Sequence, residues 1–554
     1  MRRLKTVGDV LGPEGVRKEL MPYLETIADD DDELLLALAG ELGKFVPVVG
    51  GKSQACCLLP CLEYLTRVEE TVVREKAVES TCSVIEAADG GEEEIVAMLK
   101  RLTSGDWFTS RVSACGLYAA VYSHTKNAET LAGLRSGFET LAKDETPMVR
   151  RAAASKLGKF CMVMEGVVAV NELLPVLQGL ISDDQDSVRQ LAVDNLSKVA
   201  MRLMEENCSA DCNTHVLPLV KQAAQDLSWR VRFALAKGFS ELANAMGSEV
   251  TSRDLAPHLI ALLQDQETEV TVAICKEMAT YVDLIGSKTF AAQIMPHVGA
   301  LADDVNLSVR AALSKSCMLM APKLGEENTR SLILPMLEGF LTDENAEVRL
   351  HVLNNLEALA EWMPSMASQL LPLVQQLGHD GIWRVRKAVI ESIPLLTERM
   401  GVQCFEENLL EMYLGSYQDS VSEVRHGAAS GLSQLCKVFG SDWLSEKIFP
   451  RIRSLYAESN LYLIRISVLN AVAGLIPAAA GTDLANDGLE MLLSGTRDRV
   501  PNVRFTSVRA LHQVASDLEN ETVSNQVRPC LVDLESDEDT DVQLFAKMAL
   551  ESLG

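Results

Sequence analysis

One pattern returns along this chain: an aspartate, four variable residues, then Val-Arg and an apolar periodic tail. Three copies make it plain: DETPMVRRAAASKLG from Asp144, DDQDSVRQLAVDNLS from Asp183 and DENAEVRLHVLNNLE from Asp343. Taking the Val position as an anchor gives Leu34, Val73, Ser110, Val149, Val188, Val231, Val270, Val309, Val348, Val385, Val424, Ile464, Val503 and Val542. Successive anchors lie 37 to 40 residues apart, mostly 39, with one interval of 43 between Val188 and Val231. Fourteen copies therefore cover nearly all of the 554 residues. A period of this length excludes a row of independent globular domains, because each unit must bury its apolar face against its neighbours.

The columns of the repeat say what each unit is. Five residues before the anchor stands Asp in eleven of the fourteen copies, among them Asp29, Asp226, Asp380 and Asp498. An aspartate in the turn ahead of a helix accepts the free N–H groups of its first turn and faces the positive end of its dipole. Directly after the anchor comes Arg, again in eleven copies, the exceptions being Leu35, Thr271 and Gln543. The anchor and the fourth and eighth residues beyond it are apolar, as with Ala153 and Leu157 or Val352 and Leu356. They share one face of a helix.

A first helix precedes this one, and it carries a proline 12 to 14 residues before the anchor in ten copies: Pro22, Pro60, Pro175, Pro218, Pro257, Pro296, Pro335, Pro372, Pro450 and Pro529. An interior proline removes one hydrogen bond and bends the helix, so a kink is predicted there. Two antiparallel helices in such a period are the HEAT-repeat pattern, and the fold class expected is an all-α HEAT-repeat solenoid. With helices about 10 Å apart, fourteen repeats would form an arc on the order of 140 Å long, its turns aligned as a ridge. The recurrent Asp and Arg predict a ladder of bonds between repeats.

Composition narrows the function. A net charge of −27 argues against a protein that binds the nucleic-acid backbone. The 13 cysteines form no framework, and Cys57–Cys61 and Cys208–Cys212 are their closest sets. Cys115, Cys275 and Cys317 fall in apolar helical patterns, as free thiols do in a reducing compartment; a cytoplasmic protein is expected, with the nucleus as a second compartment. Met1-Arg-Arg-Leu-Lys leads into no signal core, and the apolar stretch from Leu461 to Gly481 is broken by Arg465 and Asn470, so no membrane role is expected.

A search for chemistry returns decoys. Gly51-Lys52-Ser53 resembles the end of a phosphate-binding loop, but Val46 stands where its first glycine is required. His258 and His297 each follow a repeat proline and are equivalent positions rather than metal ligands. Asn195, Asn207 and Asn306 head glycosylation-type triplets that mean nothing without secretion. No metal, cofactor or catalytic residue is therefore expected. What stands out is tryptophan in the turns. Trp229 and Trp383 lie two residues before their anchors and Trp107 lies near that place, whereas Trp362 and Trp443 are out of register and read as core. A turn tryptophan either folds back to cap its own repeat or waits for a partner, since Trp, Tyr and Arg dominate interface hot spots.

Longer stretches carry a resemblance: VEETVVREKAVES from Val68, GDWFTSRVSACGLY from Gly105, DETPMVRRAAASKLG from Asp144, DQDSVR from Asp184, SWRVRFALAKGFSEL from Ser228, WRVRKAVIESIPLL from Trp383 and PNVRFTSVRAL from Pro501. The chain resembles the scaffolding A subunits of the type 2A protein serine/threonine phosphatase, in order and over its whole length. The resemblance implies a non-catalytic, horseshoe-shaped scaffold of fifteen HEAT repeats holding a catalytic subunit and an exchangeable regulatory B subunit, as a heterodimeric core and a heterotrimeric holoenzyme. It implies one solenoid over 1–554, with regulatory subunits on repeats within 1–340 and the catalytic subunit within 365–554. Positions matching the catalytic-subunit contacts are Trp383, Arg384, Tyr462, Arg465, Val500, Asn502 and Arg504. Those matching regulatory-subunit contacts are Asp106, Trp107, Pro147, Arg150, Arg151, Trp229 and Arg230.

Three departures accompany it. The chain starts within what would be the second helix of a first repeat, leaving that end without its usual cap. Ser422 occupies a turn position where the family usually has tyrosine, which weakens one catalytic-subunit contact. Extra residues around Met201–Asn213 lengthen one connection. A nuclear-transport carrier is the competing expectation, being also an acidic HEAT solenoid, though usually longer and less regular.

Overall fold

The computed structural model describes residues 4–26, 31–205 and 209–553. Asp29, Asn207 and Cys208, named above, lie outside the described residues. The chain divides into two compact units, Met1–His297 and Val298–Gly554. Each is a stack of paired helices, and the described residues contain no strand. In the first unit, for example, Ala128–Ala142 pairs with Pro147–Met162; in the second, Asp483–Gly495 pairs with Pro501–Val514.

The predicted anchor stripe is the core of each repeat. Val149, Val188, Val231, Val270, Val348, Val385, Val503 and Val542 have no exposed surface, and Ala153, Leu157, Val352 and Leu356 line up behind their anchors. The first repeat is a correction. Leu34 is only half-buried, and the stripe starts one residue later on Leu35, continuing through Leu38, Ala39 and Leu42. Trp362 is the second correction: it is 37% exposed rather than core. Trp443 does lie on the core, edge-on to Phe405 and Phe439, and its indole N–H donates to Glu406 at 2.8 Å.

Five of the ten prolines distort the first helix by a specific route, whereas Pro218 and Pro372 sit inside the continuous helices Ser209–Ala224 and Pro364–Leu377. A single wide π turn at Val16–Leu20, Ala169–Leu173, Thr251–Leu255, Thr329–Ile333 and Val523–Val527 runs directly into the segment that starts beside Pro22, Pro175, Pro257, Pro335 and Pro529. Proline has no N–H to give the preceding turn and its ring crowds the carbonyl there, so the backbone widens by one residue. A second column escaped the sequence reading. Gly247, Gly286, Gly325, Gly401 and Gly440 each stand sixteen residues after an anchor, with φ between 82° and 91°. That left-handed conformation ends the second helix and reverses the chain, and it strains any residue with a Cβ.

Candidate partner-binding ridge

The turns between paired helices are held by the ladder that the Asp and Arg columns predict. Arg150 is typical: its Nε and Nη2 donate to both oxygens of Asp183, one repeat on, at 2.6 and 3.0 Å. Its Nη1 donates back to the carbonyl of Asp144, at the start of its own turn. Asp183 in turn accepts the N–H of Gln185 at 2.9 Å, which fixes the loop it belongs to. The same two-armed fork joins Arg111 to Asp144, Arg189 to Asp226 and Arg232 to Asp265 in the first unit. In the second unit it joins Arg310 to Asp343, Arg386 to Asp419, Arg465 to Asp498 and Arg504 to Asp537. These pairs are mostly shielded from water, where bidentate charge-assisted bonds are strong and directional.

Spacing decides where the ladder weakens. From Val348 to Val385 the interval is 37, so Asp380 falls 31 residues after Arg349 instead of 33. Only Nη2 of Arg349 reaches it, at 3.0 Å, and the buried Nε finds no partner. Gly105 and Ser459 replace the aspartate elsewhere; there Arg74 turns to the carbonyl of Val68 and Arg425 to Ser467. The 43-residue interval does no such harm, because its additional residues precede the helix Ser209–Ala224 and leave the Arg189–Asp226 fork intact.

The ladder has an electrostatic signature. Arg386 and Arg504 hold the carboxyls of Asp419 and Asp537 below the usual range. At Asp144, Asp226, Asp265 and Asp343 burial pushes the carboxyl up, but the hydrogen bonds from the arginine and the turn amide outweigh it. A carboxylate with a depressed folded pKa stabilises the fold above its unfolded pKa of about 3.9, and that contribution is lost as pH falls through the folded pKa. Thermal melts should therefore show no rung-dependent change from pH 7 to about 5 and a steep loss below about pH 4. In Asp265→Asn the loss on acidification should be shallower than in the parent; an equal slope would mean that the rungs do not set the acid limit.

On this frame the expected contact residues fall into two groups. Arg150, Arg465 and Arg504 already direct their guanidinium groups into rungs, so they set the shape of the turns. The others are displayed. Trp107 is 75% exposed, with Asp106 exposed beside it. Pro147 opens the helix Pro147–Met162, followed by exposed Arg151. Trp229 is half-buried under Arg230, whose Cζ sits 4.9 Å from the ring centre. Trp383 repeats the arrangement with Arg384 at 5.6 Å, one side of its ring against the core of the second unit. Tyr462 and Asn502 are exposed and Val500 is half-buried, while Ser422 is exposed at the start of Ser422–Phe439.

A third group was missed except for Val500. Three residues before the anchor, at the tip of each turn, stand Trp107 and then Thr146, Gln185, Ser228 and Glu267 in the first unit, but Ile382, Val421, Leu461 and Val500 in four successive repeats of the second. Each of these four apolar tips is pinned by its own N–H, which donates to Asp380, Asp419, Ser459 and Asp498 respectively. Leu461 is 63% exposed and Ile382 46%. Lining up that one column would have revealed them. Leu227 and Val305, 99% and 98% exposed, share a register four residues before their anchors that no other repeat fills with so exposed an apolar residue.

The chemistry remains that of a surface. Among the described residues no three His, Cys, Asp or Glu side chains converge as a metal site, and no helix is long and apolar enough to cross a membrane. Burial pushes the thiols of Cys82 and Cys212 up to about 11 and those of Cys61 and Cys161 up to about 12, far from a reactive thiolate. A groove of 1230 Å³ in the second unit holds Ser552 with its oxygen 2.9 Å from Nε2 of His512. The same hydroxyl lies 2.8 Å from the carbonyl of Ala549, three residues back at the end of the last helix. The pair is a helix-end contact, not a nucleophile and its base.

Helix pairs stacked in register, a proline-bent first helix and an Arg–Asp ladder along the turns define a HEAT-repeat α-solenoid. Residues 248–325 match the PPP2R1A-like HEAT repeat. The chain is homologous to the A-type regulatory subunits of protein phosphatase 2A: it is 41% identical over 250 residues to the A-type PP2A regulatory subunit of Schizosaccharomyces pombe, covering 45% of this chain and 42% of that one. It is 40% identical over 346 residues to the beta isoform of the human 65 kDa A-type regulatory subunit of serine/threonine-protein phosphatase 2A, covering 48% and 57%. These matches span about half the length of the curated relatives. Among solved structures, Kap121p aligns with a TM-score of 0.66 at 15% identity over 97% of this chain and 57% of its own, and Kap95p with 0.61 at 14% over 96% and 70%. Identities this low bear on the fold alone.

Proposed function

We propose that the protein is the non-catalytic scaffold of a phosphatase 2A holoenzyme, holding the catalytic subunit on turns of its C-terminal repeats and an exchangeable regulatory B subunit on turns of its N-terminal repeats. The observation that carries this reading is the contrast between turn tips: four successive apolar tips from Ile382 to Val500, with Trp383 and Tyr462 beside them, against polar tips around isolated Trp107 and Trp229. Exposed apolar and aromatic groups on a fixed frame are what hot spots are made of. Two proteins held on one frame meet at a raised effective concentration without any new contact between them.

Affinity isolation of the full chain from its own cells tests this. Serine/threonine phosphatase activity sensitive to okadaic acid should co-elute, and its absence would defeat the proposal. Trp107→Ala should weaken regulatory-subunit binding by about 2 kcal/mol and leave the catalytic subunit bound. Equal loss of both partners in pull-downs would contradict the division of surfaces.

A further inference from the structure

We propose that the outward face of the second helices in the Met1–His297 unit, from Pro147–Met162 to Thr268–Lys276, binds an extended acidic segment of a partner protein with a carboxylate at about every third residue. This goes beyond the scaffold reading: the face meets the turn ridge only at Arg151, and its occupant need be neither phosphatase nor regulatory subunit.

Charge is the first observation. In a chain of net charge −27, Arg151, Lys156, Lys159, Lys198, Lys237 and Lys276 gather on four successive repeats. None of the six has an ion-pair partner among the described residues, and all but Lys156 are exposed. Elsewhere Lys18, Lys44, Lys76 and Lys143 each pair with a glutamate three or four residues away; other lysines, such as Lys221 and Lys288, have no ion pair among the described residues, so it is the clustering that sets this face apart. Around Lys156 and Lys159, which are themselves three apart, the sequence puts Ala152, Ala153, Ser155, Phe160, Met162 and Val163 at those spacings instead. Exposed lysines without an ion pair in so acidic a protein keep much of their field for an incoming anion, although Lys198 and Lys237 share the charge of Asp194.

Register is the second. Lys159 and Lys198 both stand ten residues after their anchors, and Lys237 and Lys276 both stand six after theirs. At about 100° per residue the two positions lie roughly 40° apart on a helix. Both look away from the stripe that packs on the first helices. The first members of the row come close to one another. A Cβ added to Gly158 would meet Cδ of Lys198 at 2.8 Å, so the Lys198 stem crosses the neighbouring helix beside Lys159. Asp194 lies within the field of both Lys198 and Lys237. Two further acids, Glu241 and Glu277, accept hydrogen bonds from Ser197 at 3.3 Å and from Thr280 at 3.4 Å.

Packed helices lie about 10 Å apart, and an extended chain advances about 3.3 Å per residue. One carboxylate per repeat thus recurs at every third residue, and four repeats match a segment of about ten to twelve. Nucleic acid would meet the same lysines, but its dense phosphate charge would also meet the repulsion of the whole chain. A short, moderately charged peptide avoids most of it.

The test uses the full chain and a fluorescein-labelled twelve-residue peptide with glutamate at every third position and Gly or Ser between. Fluorescence anisotropy should show saturable binding that weakens from 50 to 200 mM salt. The quadruple variant Lys159→Gln, Lys198→Gln, Lys237→Gln, Lys276→Gln should bind at least tenfold more weakly with an unchanged melting temperature. A peptide of identical composition with its glutamates clustered at one end should bind several-fold more weakly. Undiminished binding by the variant, equal binding of the clustered peptide, or tighter binding of a single-stranded oligonucleotide of equal charge would each overturn the proposal.

Discussion

Arg232→Ala should lower the stability of the first unit by about 3 kcal/mol, read as a shift in the urea unfolding transition. Both members of the Arg232–Asp265 rung are largely shielded, with side-chain exposures of 16% and 5%. Removing one partner of a buried ion pair leaves the other uncompensated, at a cost of about 3–5 kcal/mol when burial is complete. Arg232 also closes its own turn through the carbonyl of Asp226 at 2.8 Å, so two repeats loosen together. Arg232→Lys should recover only part of the loss, because an ammonium keeps the charge but not the fork. Arg349→Ala supplies the contrast. Its rung has one arm and a buried Nε without a partner, so its loss should cost clearly less. Equal effects at Arg232 and Arg349 would show that the forks contribute little beyond burial.

Trp383→Ala should weaken binding of a phosphatase catalytic subunit by about 2–4 kcal/mol, the hot-spot range, or roughly thirty- to a thousandfold in Kd. The ring stands between exposed Ile382 and Arg384, with Arg384 stacked at 5.6 Å. Its other side touches the core of the second unit, so some stability will be lost as well. Calorimetric titration paired with a thermal melt separates the effects. A binding loss with a small shift in Tm supports an interface residue, and a large shift in Tm with unchanged affinity makes Trp383 core.

The repeat, its two helices and the ladder were legible because each imposes a fixed column. Asp and Arg recur at one register, since a fork can bridge neighbouring repeats only there. Trp383 and Trp229 stood out because they break the apolar stripe, but the sequence left open whether they cap their own repeat, and both are half-buried. Three things were not. The glycines from Gly247 to Gly440 make a column at helix ends, where no apolar period draws attention. The register of the first repeat slips by one because Leu34 and Leu35 are equally apolar, and only packing selects Leu35. Trp362 reads as core by its neighbours, yet the helix Leu356–Trp362 ends on it and leaves the ring at the surface. Arg150, Arg465 and Arg504 show the opposite difficulty: a charge at a contact position looks free in sequence, and only the partner aspartate 33 residues on reveals that it is engaged.

Amide hydrogen exchange on the reconstituted assembly tests the division of partners along the ridge most directly. Adding the phosphatase catalytic subunit should slow exchange in the turns around Ile382, Leu461 and Val500 and leave those around Trp107, Pro147 and Trp229 unchanged. Adding a regulatory subunit should protect the second set. If the catalytic subunit by itself protected both sets, or neither, that would contradict a scaffold that holds its two partners on separate stretches of turns.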